Sequence, residues 1–583
     1  RELAAARGGD GRRDLAEQLE EACAGAWDLA VGLQGGRGAQ PQALAPRLLE
    51  EVLGVLSLKD MLEARFLMKL SRIALALLAV ESSAAQLGTS AQYQAHLNIS
   101  QVLFKLSQGQ HDRLFLAEGL LEPLIGVVRA HAQEPTACEL LTYAVGVLKN
   151  VTNDEDNRKC SAEAGAVAVL FGLMAAEHLT GSAGEARVLI QATAALRNLA
   201  GWRHSDFLSD ARLGSLSRLM ALFSTHVELL TNISRILSKL TVHAEACEAF
   251  VPSAQNIKQI ARTLSAHADA APLALRLAFV LGNLTEHSGT LRTVFAFDCD
   301  GAALVAHLLG KYWQKDRQLA CAEQGQASAG VQEVEEVLVK LVRLLANMAI
   351  CPRVGAALAS TAAAVDPLLD MLGAKRIDSS EELVLNVVAA VTNLLFYDEP
   401  SNLLFQEDNK MLLCRLFRPF LLESFNDEAL METARALGNL TRHKDAMMCM
   451  AGLRIDEILV ILLDHNERRL VYSVCGALVN LGADLDCGLK LMSHTPIARK
   501  LAGLLVDATA DDPELRLVAI KVLANLSLNP NVGWSAADVE AIRAVLEPMP
   551  AECEEFAAAA EADGEDDEGA AELRGLALEL LQR

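Results

Sequence analysis

The sequence predicts an all-helical protein built as one long array of about ten similar repeats. A short motif returns at near-regular intervals, the apolar residues around it follow a helical period, and the composition favours helices over strands. Of the 583 residues, 52% are apolar but only 4% are aromatic, so Leu and Ala supply most of the core-forming surface. Leu and Ala lead the helix propensities, whereas strands favour β-branched and aromatic residues.

The recurring motif has the pattern apolar-x-x-Leu-x-Asn-Leu. The Asn position, with Lys in two weaker copies, recurs at Lys105, Asn150, Asn198, Lys239, Asn283, Asn347, Asn393, Asn439, Asn480 and Asn525. Eight of the nine steps between these positions measure 41 to 48 residues. Such self-similarity predicts stacked helical units that cannot bury their apolar face alone. The single 64-residue step, from 283 to 347, predicts a surface-loop insertion at about 315–333.

The remaining segments differ from the array in composition. The array is expected to span residues 47–548. Residues 1–46 contain one helical patch followed by a stretch rich in Gly, Gln and Pro that is expected to be a linker. Residues 549–571 are strongly acidic and are expected to form a disordered linker. Residues 572–583 have the pattern of a short amphipathic helix.

The recurring asparagine is predicted to lie on the side of its helix that faces away from the core. At about 100° per residue, the apolar positions five and two residues before it and one after it form a stripe opposite the asparagine. The positions four and seven residues before it share its own side. The asparagine either ends its helix in the left-handed conformation or uses its amide to hold the backbone of an extended partner. Both interpretations stay open.

Basic residues gather on this polar side in an otherwise acidic chain. Consecutive copies place Arg235, Lys239, Arg276, Lys340 and Arg343 there, and later copies add Arg435 and Lys521. We expect these residues, with the eight asparagines, to line a concave groove that receives an extended or acidic segment of a partner, or this chain's own acidic tail. The alternative is scattered, solvated charge.

Other classes of function find little support. The net charge of −23 disfavours nucleic-acid binding, which depends on Lys and Arg. The twelve cysteines are dispersed without a C-x-x-C pair, so we expect no metal site and no cofactor. Phosphate-loop, dinucleotide, nucleophile-elbow and metalloprotease motifs do not occur, which predicts a protein that is not an enzyme.

No signal peptide opens the chain and no apolar run is long enough for a membrane span, so no membrane insertion is expected. Several N-x-S/T triplets coincide with the motif and are interpreted as part of the repeat.

The period and the motif copies resemble the armadillo-repeat family over about four-fifths of the chain. This resemblance implies a right-handed armadillo solenoid of about ten repeats that binds proteins. Importin-α-type members carry Trp four residues before the asparagine, and no copy here does, which argues against nuclear import.

Three stretches resemble family members that act in assembling motile cilia and flagella. They are NLLFYDEPSN (393–402), METARALGNLTRHKD (431–445) and VYSVCGALVNLGADLD (471–486). The resemblance implies an adaptor in the cytoplasm and the cilium that helps intraflagellar transport deliver axonemal parts, with radial-spoke and transport proteins as partners. A stable axonemal scaffold and a catenin-like cytosolic or nuclear adaptor are the alternatives.

Overall fold

The computed structural model describes residues 9–34, 39–56, 63–80, 89–109, 112–134, 136–175, 179–322, 329–424, 426–507, 512–530, 533–554 and 568–582. Every regular element in these ranges is helical, and none of the described residues lies in a strand. The all-helical prediction is therefore confirmed. The chain divides into two compact units, Arg1–Phe295 and Ala296–Arg583.

The first unit contains sixteen α-helices among its described residues. They are α1 (Gly9–Gln34), α2 (Ala39–Leu56), α3 (Ala64–Leu78), α4 (Thr89–Ser107), α5 (Asp112–Ala117), α6 (Leu121–His131), α7 (Cys138–Val151), α8 (Glu155–Glu163), α9 (Ala166–Met174), α10 (Ala183–Leu199), α11 (Asp210–Leu222), α12 (Val227–Leu240), α13 (Ala244–Glu248), α14 (Ala254–Ala266), α15 (Ala271–His287) and α16 (Gly289–Thr293). A 3₁₀ turn lies at His204–Phe207, and a π-helical turn follows α16 at Val294–Asp298.

The second unit continues the same pattern. Its described helices are α17 (Gly301–Ala322), α18 (Ala329–Ala349), α19 (Pro352–Ala359), α20 (Ala362–Ala374), α21 (Ile377–Leu395), α22 (Glu407–Glu423), α23 (Asp427–Leu440), α24 (Lys444–Gly452), α25 (Ile455–Leu462), α26 (Arg468–Ala483), α27 (Leu485–His494), α28 (Ile497–Asp507), α29 (Pro513–Ser527), α30 (Ala536–Leu546) and α31 (Glu568–Gln582). A 3₁₀ turn lies at Leu403–Phe405.

The helices that carry the recurring motif, here called motif helices, pack side by side within each unit. The row is α4, α7, α10, α12 and α15 in the first unit, and α18, α21, α23, α26 and α29 in the second. The predicted apolar stripe is buried, as Val145, Leu148 and Val151 of α7 show. At the contact between α4 and α7, a β-carbon on Gly146 would lie 2.6 Å from the Phe104 ring, so the ring occupies the space that a larger residue at 146 would need.

Side chains fix where several helices begin. Ser182 and Glu185 form a reciprocal capping box at the start of α10. The Asn426 side chain accepts a hydrogen bond from the Ala429 N–H at the start of α23, and Asp484 does the same for Cys487 at the start of α27. These caps supply partners for backbone N–H groups that the first turn of a helix leaves unpaired.

Two segments expected to be irregular are largely helical. In the stretch expected to be a linker, α2 begins at Ala39 and runs through Pro46; residues 35–38 lie outside the described ranges. The expected loop insertion at 315–333 is taken up by the end of α17 and the start of α18, apart from 323–328, which are not described. Its polar residues are held within the packing, since Asp316 is buried and pairs with the Lys375 ammonium at 3.0 Å. The long step in the period therefore reflects two long helices.

The C-terminal helix α31 packs against the last motif helix, α29. Leu573 and Ala577 are buried there, and the Lys521 ammonium pairs with the Glu572 carboxylate at 2.9 Å. The segment 549–571 was expected to be a disordered linker, but residues 549–554 form a short helical stretch with Cys553 buried, and residues 568–571 belong to α31. Residues 555–567 lie outside the described ranges. The helix at Glu568–Gln582 thus takes the place that a further motif helix would occupy in the row.

Candidate protein-binding groove

The recurring asparagines lie in the last turns of the motif helices. Among the described residues, the only non-glycine residues with positive φ are Asp300 and Arg454, so no described asparagine of the motif adopts the left-handed conformation. The helix continues past the asparagine instead; the Thr152 N–H, for example, still donates to the Leu148 carbonyl at 3.0 Å. The interpretation of these residues as left-handed helix ends is therefore wrong.

The side-chain donor of the recurring residue binds the preceding motif helix. Its nitrogen donates to the carbonyl oxygen of the residue just before the preceding recurring position. These bonds run from Asn198 to Lys149 (3.1 Å), Lys239 to Arg197 (2.8 Å), Asn393 to Ala346 (3.1 Å), Asn439 to Thr392 (3.2 Å), Asn480 to Gly438 (3.2 Å) and Asn525 to Val479 (2.9 Å). Most of these bonds satisfy a carbonyl in the last four residues of a helix, where intrahelical partners run out; the Val479 carbonyl lies one residue earlier in its helix, α26.

A hydroxyl two residues after the recurring position is a second acceptor for the next asparagine. The Nδ2 donors of Asn150, Asn198, Asn283 and Asn480 lie 2.9 to 3.3 Å from the hydroxyls of Ser107, Thr152, Thr241 and Thr441, respectively. Thr152 and Thr441 each complete an N-x-T triplet of the motif. The sequence therefore carried a signal for this contact, in the form of triplets otherwise familiar as glycosylation sites.

The asparagines are only partly withdrawn from solvent. All are half-buried except Asn283, which is 5% exposed, and Lys239 in the weaker copy is exposed. Where a partner is given above, their N–H groups already bind the neighbouring repeat. Their predicted role in holding a partner's backbone stays a prediction.

The predicted basic residues are distributed over both units. Arg235, Lys239 and Arg276 lie in the first unit, and Lys340 and Arg343 lie in the second. Although the Lys239 side chain as a whole is exposed, partial desolvation of its ammonium group lowers its pKa, and the charges of Arg158 and Arg197 lower that pKa further.

Three of the predicted basic residues, all in the second unit, pair with carboxylates. The Lys340 ammonium lies 2.7 Å from Glu382, and Arg435 lies 2.6 Å from Glu432. Lys521 pairs with Glu572 of α31, as described above.

A groove of about 1100 Å³ crosses the motif helices of the second unit. It starts at the C-terminal ends of α18 and α21, follows α23 from its middle to its C-terminal end, and reaches the N-terminal halves of α26 and α29. Three predicted groove residues line it: Asn393, Arg435 and Asn439. The predicted residues Asn347, Asn480, Asn525, Lys340, Arg343 and Lys521 lie outside its lining, although they belong to the same unit.

Large apolar side chains stand exposed in this groove. Phe396 is 65% exposed, Ile350 is 53% exposed and Tyr472 is 45% exposed. Ile350 and Phe396 each follow a recurring asparagine by three residues, a position that falls about 60° from the asparagine on a helical wheel. The positions predicted to share the asparagine's side of the helix lie four and seven residues before it, so Ile350 and Phe396 were not among the predicted groove residues.

The charges in the groove are unevenly placed. Arg435, Arg468 and Arg469 line its middle, whereas Asp512 and Glu514 line the end at α29. Arg468 lies 3.7 Å from Asp512, while Arg469 is exposed and forms no ion pair within the described ranges. The middle of the groove is thus locally basic in an acidic chain.

The described residues offer little for other kinds of site. Among them, no group of three or more His, Cys, Asp or Glu side chains is arranged to hold a metal ion. No single described helix is long and apolar enough to span a membrane. Three bent pairs of successive helices, with angles of 72° to 115°, reach the necessary length and composition only when joined.

Comparison with known proteins supports the repeat architecture. The chain is 30% identical over 442 residues to armadillo repeat-containing protein 2 of Mus musculus, and 30% identical over 447 residues to that of Homo sapiens; each match covers 74% of this chain. The Bos taurus protein of the same name is 29% identical over 463 residues. The chain spans about half the length of these curated relatives. No protein-family model matches the sequence.

A solved structure shares the fold. One chain from a study of the phosphorylation switch that controls the interaction between cadherin and β-catenin superposes with a TM-score of 0.62. The match covers 95% of this chain and 98% of the other at 15% identity, which speaks to the fold alone. The helical repeats, their motif row and these relatives together show that the chain belongs to the armadillo-repeat family.

Proposed function

We propose that this chain is a non-catalytic, protein-binding adaptor for the assembly of motile cilia and flagella. In this proposal it helps intraflagellar transport deliver axonemal complexes, radial spokes in particular, and it works in the cytoplasm and the cilium. The similarity to armadillo repeat-containing protein 2 supports the choice among armadillo proteins. The three stretches at 393–402, 431–445 and 471–486 carry the resemblance to ciliary members of the family.

The groove of the second unit is the observation that carries the binding role. It combines exposed aromatic side chains with Arg435 and Arg469 along a row of packed helices. Repeat arrays of this kind bind partners along extended surfaces. Exposed apolar residues gathered at one place on a protein mark an interaction site.

Imaging during growth of the cilium tests this proposal. A fluorescently tagged copy, followed in regenerating cilia of the source organism, is expected to move along the axoneme and to be lost when the membrane is removed by detergent. Retention in demembranated axonemes would instead identify a permanent scaffold. Absence from cilia would contradict the ciliary role and favour a catenin-like adaptor.

A further inference from the structure

We propose that the groove of the second unit selects an extended protein segment in which a carboxylate side chain lies a few residues from a large apolar one. Phe396, Tyr472 and Arg469 are the selecting residues in this proposal, and the recurring asparagines hold the repeats together. The inference rests on the proposed protein-binding function and specifies the chemistry of the partner.

The preference for a large apolar side chain in the partner follows from the exposed apolar side chains of the groove. Phe396, Ile350 and Tyr472 expose about half or more of their surface while lining one groove. Tyr397 lies beside Phe396, and its hydroxyl donates to the Ala349 carbonyl, which holds its ring against the end of α18. A side chain of Leu or Phe size that covers these rings removes apolar surface of both partners from water.

The preference for a carboxylate in the partner follows from the residues on one face of α26. Arg469, Tyr472, Ser473 and Gly476 stand at positions i, i+3, i+4 and i+7, so they share a face of the helix, and all four line the groove. Arg469 has no ion-pair partner in the described part of the chain, whereas Arg435 already binds Glu432. A carboxylate from a partner therefore meets an available guanidinium beside the Tyr472 ring.

The far end of the groove favours the opposite charge. Asp512 and Glu514 line it at the start of α29, where Asp512 also accepts a hydrogen bond from the Leu515 N–H. A segment that lays its carboxylate on Arg469 and continues toward α29 gains from a Lys or Arg there. The expected partner sequence is thus ordered, with an apolar residue, then an acidic residue, then a basic one, in either chain direction.

Selection from a random library of displayed 12-residue peptides tests this inference with the full chain as bait. Enriched peptides are expected to carry Asp or Glu within about four residues of Leu, Ile, Phe or Trp. Synthetic copies are expected to bind Arg469→Glu at least tenfold more weakly. A charge-swapped peptide, with Lys in place of its acidic residue, is expected to recover affinity for Arg469→Glu.

Gly476→Leu is the second variant, because it fills the groove with little expected disturbance of the fold. A β-carbon at Gly476 would meet no atom within 4 Å, and the same holds for Gly310 in α17, which lies outside the groove lining. We expect Gly476→Leu to weaken peptide binding at least tenfold, and the matched control Gly310→Leu to leave it within twofold. Both variants should melt at or above the temperature of the unmodified chain, since Leu favours helix over Gly.

Three results would overturn the inference. They are enrichment of peptides without an acidic residue, equal binding to the unmodified chain and Gly476→Leu, and a selection that enriches nothing. None of them bears on whether the tagged chain travels in growing cilia, so failure here is distinguishable from failure of the proposed function.

Discussion

A side-chain donor in the last turns of a motif helix joins that repeat to the preceding one. The acceptor is a carbonyl, a hydroxyl or both, as for Asn480, which reaches the Gly438 carbonyl and the Thr441 hydroxyl. A hydrogen bond of this kind contributes about 1 kcal/mol net, and its loss leaves a partly buried acceptor without a partner. Because the bond recurs from repeat to repeat, its contribution is spread along the row.

Replacing Asn480 with Ala tests this contribution. The variant loses both bonds, and we expect the packing of α26 on α23 to weaken by about 1 to 2 kcal/mol. Hydrogen exchange of backbone amides in α23 and α26 should then accelerate by about fivefold or more. Asn386→Ala is the matched control, because the Asn386 amide donates to the Glu382 carbonyl of its own helix and to no other group among the described residues. Equal acceleration in both variants would contradict the account.

Some of these residue-level features could be predicted from the sequence. The apolar stripe opposite the asparagine, with Cys475, Leu478 and Leu481 buried around Asn480, follows from helical period alone. The hydrogen-bond acceptors of the asparagine amide cannot be predicted from the helical period. They depend on the axial offset between neighbouring helices, which is set by helix packing. The exposed ring of Phe396 was missed for a related reason, since it lies beyond the end of α21.

At the scale of single elements, the carboxylate of Glu185 stabilises the N-terminal end of helix α10. Glu185 accepts hydrogen bonds from the backbone N–H groups of Thr180, Gly181 and Ser182. Burial alone would raise the pKa of Glu185, but these N–H groups favour the ionised form and the net pKa lies below its ordinary value. The capping interaction therefore stabilises the folded state when the carboxylate is charged.

The pH dependence of Glu185→Ala follows from that lowered pKa. A carboxylate with a depressed folded-state pKa contributes stability above its unfolded pKa of about 4.3, and that stability is lost as the pH falls through the folded value. We expect the variant to lose about 1 kcal/mol at pH 7 and clearly less near pH 3, measured by urea unfolding of both proteins. A loss that is equal at the two pH values would show that the carboxylate charge does not matter.

Helix α31 is expected to cover the exposed side of the last motif helix, α29, and to protect it from hydrogen exchange. Leu573→Asp would place an uncompensated charge where the side chain is now 4% exposed against α29. Hydrogen exchange in α31 and α29 should rise at least tenfold, with α18 and α21 unchanged, because contacts in an array reach only near neighbours. The control Leu578→Asp changes a 38% exposed residue of the same helix and is expected to have little effect. Equal exchange in both variants would show that α31 does not depend on this contact.

Element boundaries were harder to predict than element type. Helical period identified the motif helices, since their apolar residues are numerous and regularly spaced. The segment 315–333 was misjudged because its polar residues resemble a loop, whereas α17 continues to Ala322 and buries Tyr312 and Trp313 against its neighbours. Polarity on one face of a long helix looks like a loop when only a short window is considered.

At the scale of the whole molecule, the period of the motif was sufficient to predict the fold class. A spacing of 41 to 48 residues fits only a few repeat architectures, and the helical spacing of the apolar residues within each repeat selects stacked helices among them. The location of the groove was not predictable in the same way, because it runs diagonally from helix C-termini to helix N-termini. The residues that line the groove therefore occupy different positions of the motif in each repeat. Comparing one motif position across all repeats does not identify them.

The central claim separates two roles on one surface: the asparagines hold the repeats together and the neighbouring side chains select the partner. Comparing Asn480→Ala, a change outside the groove lining, with Arg469→Glu tests it most directly, by measuring melting temperature and the affinity for a selected peptide in each variant. We expect Asn480→Ala to melt lower and bind within about twofold of the unmodified chain, and Arg469→Glu to melt unchanged and bind at least tenfold more weakly. Loss of binding in Asn480→Ala without loss of stability would contradict the claim.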